Sequence, residues 1–244
     1  MKKLNRVGEK YKTTQGYEIE IVEYFGAFDC TVKFLDGTLL KNLLYLHIKR
    51  GNVKNPYHLS IFGVGYLGVG KYTSFTNSNI YTVWYGILRR CYCKKFQEKH
   101  TTYIGCTLDK RWHNFQVFAK WFEKNYVEGF ELDKDILVKG NKSYSQETCV
   151  FIPQGINKVF TKCNKVRGEY PIGVVKRPNN KFNSRLSIEG VRNHLGVFDT
   201  PEEAFQSYKI AKEKEIKRLA DGCIHQITEA CYQALINYKV EIND

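Results

Sequence analysis

The chain has 244 residues, a formal net charge of +13 and a hydrophobic fraction of 43%. This length allows one large domain or two to three small ones, and the apolar content excludes a globally disordered chain. No run of about 18 apolar residues is present, and the N-terminus MKKLNRVGEKYK lacks the apolar core of a signal peptide. We therefore expect no membrane association and a cytoplasmic location, and the positive charge favours a nucleic-acid partner.

The N-terminal segment, residues 1–56, is predicted to be a small β-barrel of the Tudor-like type. Apolar and acidic residues alternate over 17–21, which indicates a half-buried strand. Residues 31–34 and 39–48 supply two further strands, separated by an Asp-Gly turn. A module of this kind commonly serves packing or protein contact, so we expect a protein partner here if the barrel has a binding role.

Residues 57–79 form a connector rich in glycine and tyrosine. It contains a GxGxxG spacing, but no buried strand of a βαβ unit precedes it and no ribose-binding acid follows. The pattern therefore excludes a dinucleotide-binding loop. Glycines interleaved with tyrosines favour an extended arm close to another backbone, with a DNA groove as one candidate.

Two amphipathic helices are predicted after the connector. The first is capped by Asn77 or Ser78, and the second covers residues 114–126. Arg89 and Arg90 fall near the end of the first helix, where they complement its dipole and can reach phosphates.

The eight cysteines are expected to be thiols or metal ligands, because disulfides are rare in a cytosolic protein. Four of them define the candidate zinc site: Cys91, Cys93, Cys106 and Cys149. Structural zinc usually uses two close ligand pairs, and this set contains a single CxC pair. Buried thiols are the favoured interpretation, and zinc is the alternative.

The segment from Glu131 to Asn157 is predicted to form a strand, a basic loop, a second strand and a helix that starts after Pro153. Many small metal-dependent nucleases place their working residues on such a ββα unit. The polar residues that could form a catalytic site here are Asp133, Lys134, Asp135, Tyr144, Thr148 and Asn157.

Residues 80 to about 160 resemble the phage-borne HNH endonuclease-like proteins, many of which are homing endonucleases. The matching motifs are Trp84 with Arg90–Tyr92, the WxxFxxFxxW run from Trp112, LDKD at 132–135, GNKxYSxETC at 140–149, and Asn157. The resemblance implies a ββα (His-Me finger) core that hydrolyses duplex DNA with Mg²⁺ or Mn²⁺, held by Asp133 and Asn157.

Two positions depart from the family pattern. Lys134 stands where the family has its catalytic histidine, and Thr148 stands where the orienting asparagine belongs. A lysine with a pKa of about 10.4 is a poor base at neutral pH. Asp135, Tyr144 and His113 are candidate substitutes. Two alternatives stay open: a metal-dependent endonuclease, or a lapsed site kept on a DNA-binding phage protein such as a regulator or anti-defence factor.

The C-terminal segment is predicted to contain three short strands followed by two helices. The strands cover 173–176, 182–188 and 191–197, and the sequence Thr200-Pro201-Glu202-Glu203 forms a capping box that starts the first helix. The run LGVFDTPEEAF from Leu195 resembles the ethylene-response-factor (APETALA-type) DNA-binding domain, which phage HNH homing endonucleases often carry.

This resemblance implies that the sheet enters the major groove of double-stranded DNA. The predicted contact residues are Lys176, Arg177, Lys181, Phe182, Arg185 and Arg192. Each arginine reads a base or contacts a phosphate, and the sequence leaves that choice open. His194 and His225 are interpreted as structural. Altogether we expect an α+β chain with a barrel at 1–56, the connector at 57–79, an HNH-like domain at 80–164 and a DNA-binding domain at 165–244.

Overall fold

A computed structural model describes residues 5–160 and 169–242 and confirms a mixed α+β architecture. Contacts divide the chain into two compact units, one of residues 1–88 with 113–117, and one of residues 89–112 with 118–244. Across the described ranges, no helix is both long and apolar enough to span a membrane.

The first unit contains a four-stranded antiparallel sheet. Its elements are β1 (Lys10–Lys12), β2 (Glu18–Gly26), β3 (Asp29–Phe34), β4 (Leu39–Leu43) and the short helix α1 (Tyr45–Lys49). The strands pair in chain order, so β1 and β4 lie at opposite edges and the sheet is open. The expected closed barrel is therefore wrong. The predicted third strand stops early because residues 45–49 form a helix, which places Ile48 in the core of the sheet.

The glycine-rich connector folds back on the first unit and does not extend as an arm. Gln116 fixes it: the side-chain amide donates to the carbonyls of Leu67 at 3.0 Å and Tyr72 at 2.8 Å. The amide oxygen of Gln116 accepts from the Tyr72 N–H at 3.1 Å. The expected close approach to another backbone is confirmed, because Tyr66 exchanges backbone hydrogen bonds with His113 and Phe115. Contact of the connector with a DNA groove stays a prediction.

Both predicted helices of the middle segment are present. They are α2 (Ser78–Tyr92) and α4 (Phe115–Asn125), with the short elements α3 (Lys94–Lys99) and β5 (Thr107–Leu108) between them. Their apolar faces are buried as the helical spacing predicts.

The central segment has the predicted order of strand, loop, strand and helix. Its elements are β6 (Phe130–Asp133), β7 (Ser143–Tyr144), β8 (Val150–Pro153) and α5 (Gln154–Phe160). β6 and β8 are antiparallel, with Asp133 opposite Val150, while β7 pairs with β5. Ile152 and Ile156 pack in one core with Ile216 and Leu235 from the C-terminal helices.

The C-terminal strands confirm the sequence prediction almost residue for residue. The elements are β9 (Val174–Lys176), β10 (Phe182–Ile188), β11 (Val191–Phe198), α6 (Pro201–Gly222) and α7 (Glu229–Ile236). The strands form an antiparallel sheet in the order β11-β10-β9, and α6 packs on its inner face through Phe205 and Tyr208. The capping box at Thr200 and Glu203 is formed, and α7 starts where Thr228 caps it.

Candidate nucleic-acid interface

Asp133 lies at the end of β6 and closes the turn that follows. Its Oδ1 atom accepts hydrogen bonds from the N–H groups of Asp135 and Ile136, both at 2.8 Å. Burial, and after it the neighbouring Asp135 carboxylate, raises the pKa of Asp133 to about 6. The Asp133 carboxyl group therefore stabilises the turn as a hydrogen-bond acceptor. Burial makes its ionised form unfavourable in the folded protein.

Most polar side chains of the predicted catalytic site are occupied by contacts within the protein. Lys134 Nζ donates to Asp135 Oδ2 at 3.0 Å and to the Asn141 carbonyl at 2.9 Å, so the lysine and the candidate base Asp135 form an ion pair with each other. Burial raises the pKa of Tyr144, which keeps its hydroxyl protonated at neutral pH. Thr148 donates its hydroxyl to the Ser143 carbonyl at 2.8 Å.

The side-chain amide of Asn157 is hydrogen-bonded to the carboxylate of Glu131, a residue that we did not predict to be part of the site. The N–H group donates to Glu131, and Gln154 donates to the same carboxylate at 3.1 Å. Glu131 lies two residues before Asp133 on the same side of β6, about 7 Å along the strand. The sequence signal for this residue was the pattern Glu131-Leu132-Asp133, because a strand places two acids that flank one apolar residue on the same side.

The residues do not fit the implied divalent metal. A shared cation needs oxygen atoms aimed at one point. Asn157 and Gln154 instead present N–H donors to Glu131, and Asp133 Oδ1 takes two backbone donors. Within residues 5–160 and 169–242, no group of three or more His, Cys, Asp and Glu side chains could hold a metal ion.

Three of the four cysteines of the candidate zinc site are buried thiols, and the fourth, Cys93, is partly exposed. Burial raises the pKa of Cys91 and of Cys149 to about 12, so both are protonated at neutral pH. Cys106 is also buried, and all three are free.

Three of the predicted DNA-contacting arginines share the outer face of the C-terminal sheet. A depression of about 360 Å³ is lined by Arg177, Asn183, Arg185, Arg192 and His194. Arg185 is opposite His194, and Arg192 is opposite Ser187, across the β10–β11 pair. None of the three guanidinium groups forms an ion pair or side-chain hydrogen bond with any residue of the described part of the chain.

The other predicted contact residues of the sheet lie elsewhere. Phe182 is 9% exposed and packs in the core under α6, so it supports the sheet and cannot touch a ligand on the outer face. Lys176 is opposite Phe182, and residues opposite each other in an antiparallel pair point to the same side. Lys181 forms an ion pair with Asp199. The depression is therefore built by the arginines without these three residues.

Arg89 and Arg90 are held by aromatic rings. The guanidinium carbon of Arg89 is 4.4 Å from the ring centroid of Phe96, and that of Arg90 is 5.5 Å from the ring of Tyr103. Such stacking leaves guanidinium N–H groups available at the ring edge. Their contact with phosphate stays a prediction.

Two residues of the depression were absent from our predicted contacts. Asn183 follows Phe182 on β10, and the period-two alternation that buries Phe182 places Asn183 on the outer face. His194, interpreted from sequence as structural, is exposed and lies across from Arg185. The alternation of β10 was sufficient to find Asn183, whereas His194 required the strand register.

Comparison with known proteins found no match to this chain among protein-family models, curated proteins or solved structures.

Proposed function

We propose that this protein binds double-stranded DNA through the outer face of its C-terminal sheet. The observation that supports the proposal is the convergence of Arg177, Arg185 and Arg192 on one depression without a carboxylate partner in the described ranges. Unpaired, converging guanidinium groups repel one another, and an external polyanion relieves this repulsion.

The dimensions of the sheet suit a DNA groove. Neighbouring strands are about 4.8 Å apart, so three strands span about 10 Å between their outer axes. The major groove of B-DNA is about 12 Å wide and admits a two-stranded ribbon. β10 and β11 form such a ribbon, and they carry Arg185 and Arg192. The net charge of +13 adds attraction to any nucleic acid.

We do not propose that the protein hydrolyses DNA. The residues to which the HNH resemblance assigns catalysis are engaged in other contacts, with Asp133 closing a turn and Asn157 bonded to Glu131. We therefore favour a sequence-specific DNA-binding protein, such as a phage regulator, over an endonuclease.

Equilibrium binding to duplex DNA tests the interface. We expect Arg185→Ala and Arg192→Ala each to weaken binding by about 1–3 kcal/mol if they read bases. An arginine that contacts phosphate instead lowers the slope of log affinity against log salt by about 0.9. The matched control is Lys217→Ala, at an exposed position of α6. Equal losses for the control and the arginine variants would mean that the sheet is not the binding surface.

A nicking assay tests the exclusion of hydrolysis. Supercoiled DNA incubated with the protein and Mg²⁺ or Mn²⁺ is expected to stay supercoiled. Metal-dependent nicking that is lost in Asp133→Asn would show that the central strand pair is a nuclease site, and the protein would then be an endonuclease.

A further inference from the structure

Asn183 occupies an unusual place in the arginine-lined depression. It lies on β10, opposite Val175 on one side and Val197 on the other, and it is 5% exposed. Its Oδ1 atom is buried and has no hydrogen-bond partner in the described part of the chain. Buried side-chain acceptors are normally satisfied, so this one calls for an explanation.

No side chain of the described residues donates to Asn183 Oδ1, although the three arginines that line the depression carry N–H groups. The two cross-strand neighbours of Asn183 are valines, which have no side-chain donor. The remaining residues of the depression are three arginines and a histidine. A ligand that enters this depression therefore has to be anionic overall, and it satisfies Asn183 if it also carries an N–H donor.

Duplex DNA has both properties in its major groove. Phosphates supply the negative charge, and adenine presents an amino group beside the N7 acceptor, which an asparagine carboxamide binds with two hydrogen bonds. Arginine pairs in the same way with the N7 and O6 atoms of guanine. Asn183 and Arg185 are two residues apart on one face, about 7 Å along the strand. Stacked bases of one strand are about 3.4 Å apart, so this distance corresponds to roughly two base-pair steps.

We infer that Asn183 is a specificity-determining residue that reads an adenine, with Arg185 at a guanine or phosphate about two steps away. This inference rests on the proposed DNA-binding function and adds to it the base class that the site selects. The Oδ1 atom of Asn183 is excluded from solvent, so the side chains around it have to move aside when DNA binds, and the base then completes the hydrogen bonds of this acceptor.

The test is a selection of preferred sites from a randomised duplex pool, carried out with the wild type, with Asn183→Ala and with Ser187→Ala. Ser187 is an exposed residue on the same face, opposite Arg192, and serves as the matched control. We expect the wild type and the control to select one A·T pair that Asn183→Ala no longer selects, with discrimination there reduced about tenfold or more. Replacing that adenine by purine, which lacks the amino group, is expected to weaken the wild type and to leave Asn183→Ala unaffected.

Thermal unfolding of the same variants separates reading from folding. Asn183→Ala removes an unsatisfied buried acceptor, so its midpoint is expected to equal or exceed that of the wild type. A midpoint several degrees lower, or an unchanged selected site, would overturn the role of Asn183 while leaving DNA binding intact. A wild type that binds no duplex at any salt concentration would instead overturn the proposed function, and this inference with it.

Discussion

The buried carboxyl group of Asp133 provides a quantitative test of the central strand pair. Replacing it by asparagine keeps an oxygen that accepts from the N–H groups of Asp135 and Ile136. The substitution removes only the charge. The new amide N–H can donate to the Asp135 carboxylate, whose proximity is one cause of the raised pKa of Asp133.

The expected gain follows from the pKa of this group. Its pKa is about 6 in the folded protein against an ordinary value of 3.8. The folded state therefore holds the proton more tightly, and stability falls as the pH rises from about 4 to about 6. At 1.36 kcal/mol per pKa unit, the ionised carboxylate costs about 3 kcal/mol at neutral pH. Asp133→Asn should be more stable than the wild type by up to that amount at neutral pH, and equally stable near pH 4.

Urea unfolding at both pH values measures this difference. Asp133→Ala is the control, because it removes the charge together with the acceptor of two buried N–H groups, so its gain should be smaller or reversed. If Asp133→Asn is less stable than the wild type at neutral pH, or if the two proteins differ equally at both pH values, the carboxylate is not destabilising and the reasoning fails.

Three further substitutions test the packing and capping of the fold. Gly173 has a φ of +79°, and an added Cβ would lie 2.1 Å from the Tyr208 ring. Gly173→Ala should therefore lower the free energy of unfolding by about 1–3 kcal/mol, the usual cost of overpacking a core. An unchanged melting temperature would contradict that contact. Thr200→Ala should cost about 1 kcal/mol in urea unfolding through the lost cap, and Thr200→Ser should restore it. Arg6→Ala should weaken the N-terminal sheet, since its guanidinium lies 4.1 Å from the ring centroid of Tyr45 and pairs with Glu9 at 3.0 Å. Faster hydrogen exchange in that sheet is the readout, and unchanged exchange would refute the prediction.

The structure leaves the N-terminal sheet as a candidate for protein contact. Phe28 and Leu35 are largely exposed there. A protein partner for this sheet stays a prediction, and a pull-down with the full chain and with a Phe28→Ser variant is the direct measurement.

The sequence alone determined the elements whose signals are local. The turn pairs Asn179-Asn180 and Glu189-Gly190 mark the ends of β10 in the sequence, and Asn180 and Glu189 do adopt the left-handed backbone conformation. The capping box at Thr200 is a hydrogen-bond pattern within four residues, so it needs no distant partner to form. The order of strand, loop, strand and helix in the central segment was predictable for the same reason.

Only the tertiary structure decided what depends on residues far apart in the chain. Asn157 and Glu131 are 26 residues apart, and their hydrogen bond engages the amide N–H group of Asn157 with a carboxylate. Barrel closure required a pairing of β1 with β4 that the open sheet does not make. The lack of an ion pair between these arginines and any carboxylate of the described ranges likewise follows from how distant segments pack, since Glu189 and Glu215 both pair with Arg218. Local patterns specify backbone hydrogen bonds between near neighbours, whereas the surroundings of a charged side chain are set by packing across the whole unit.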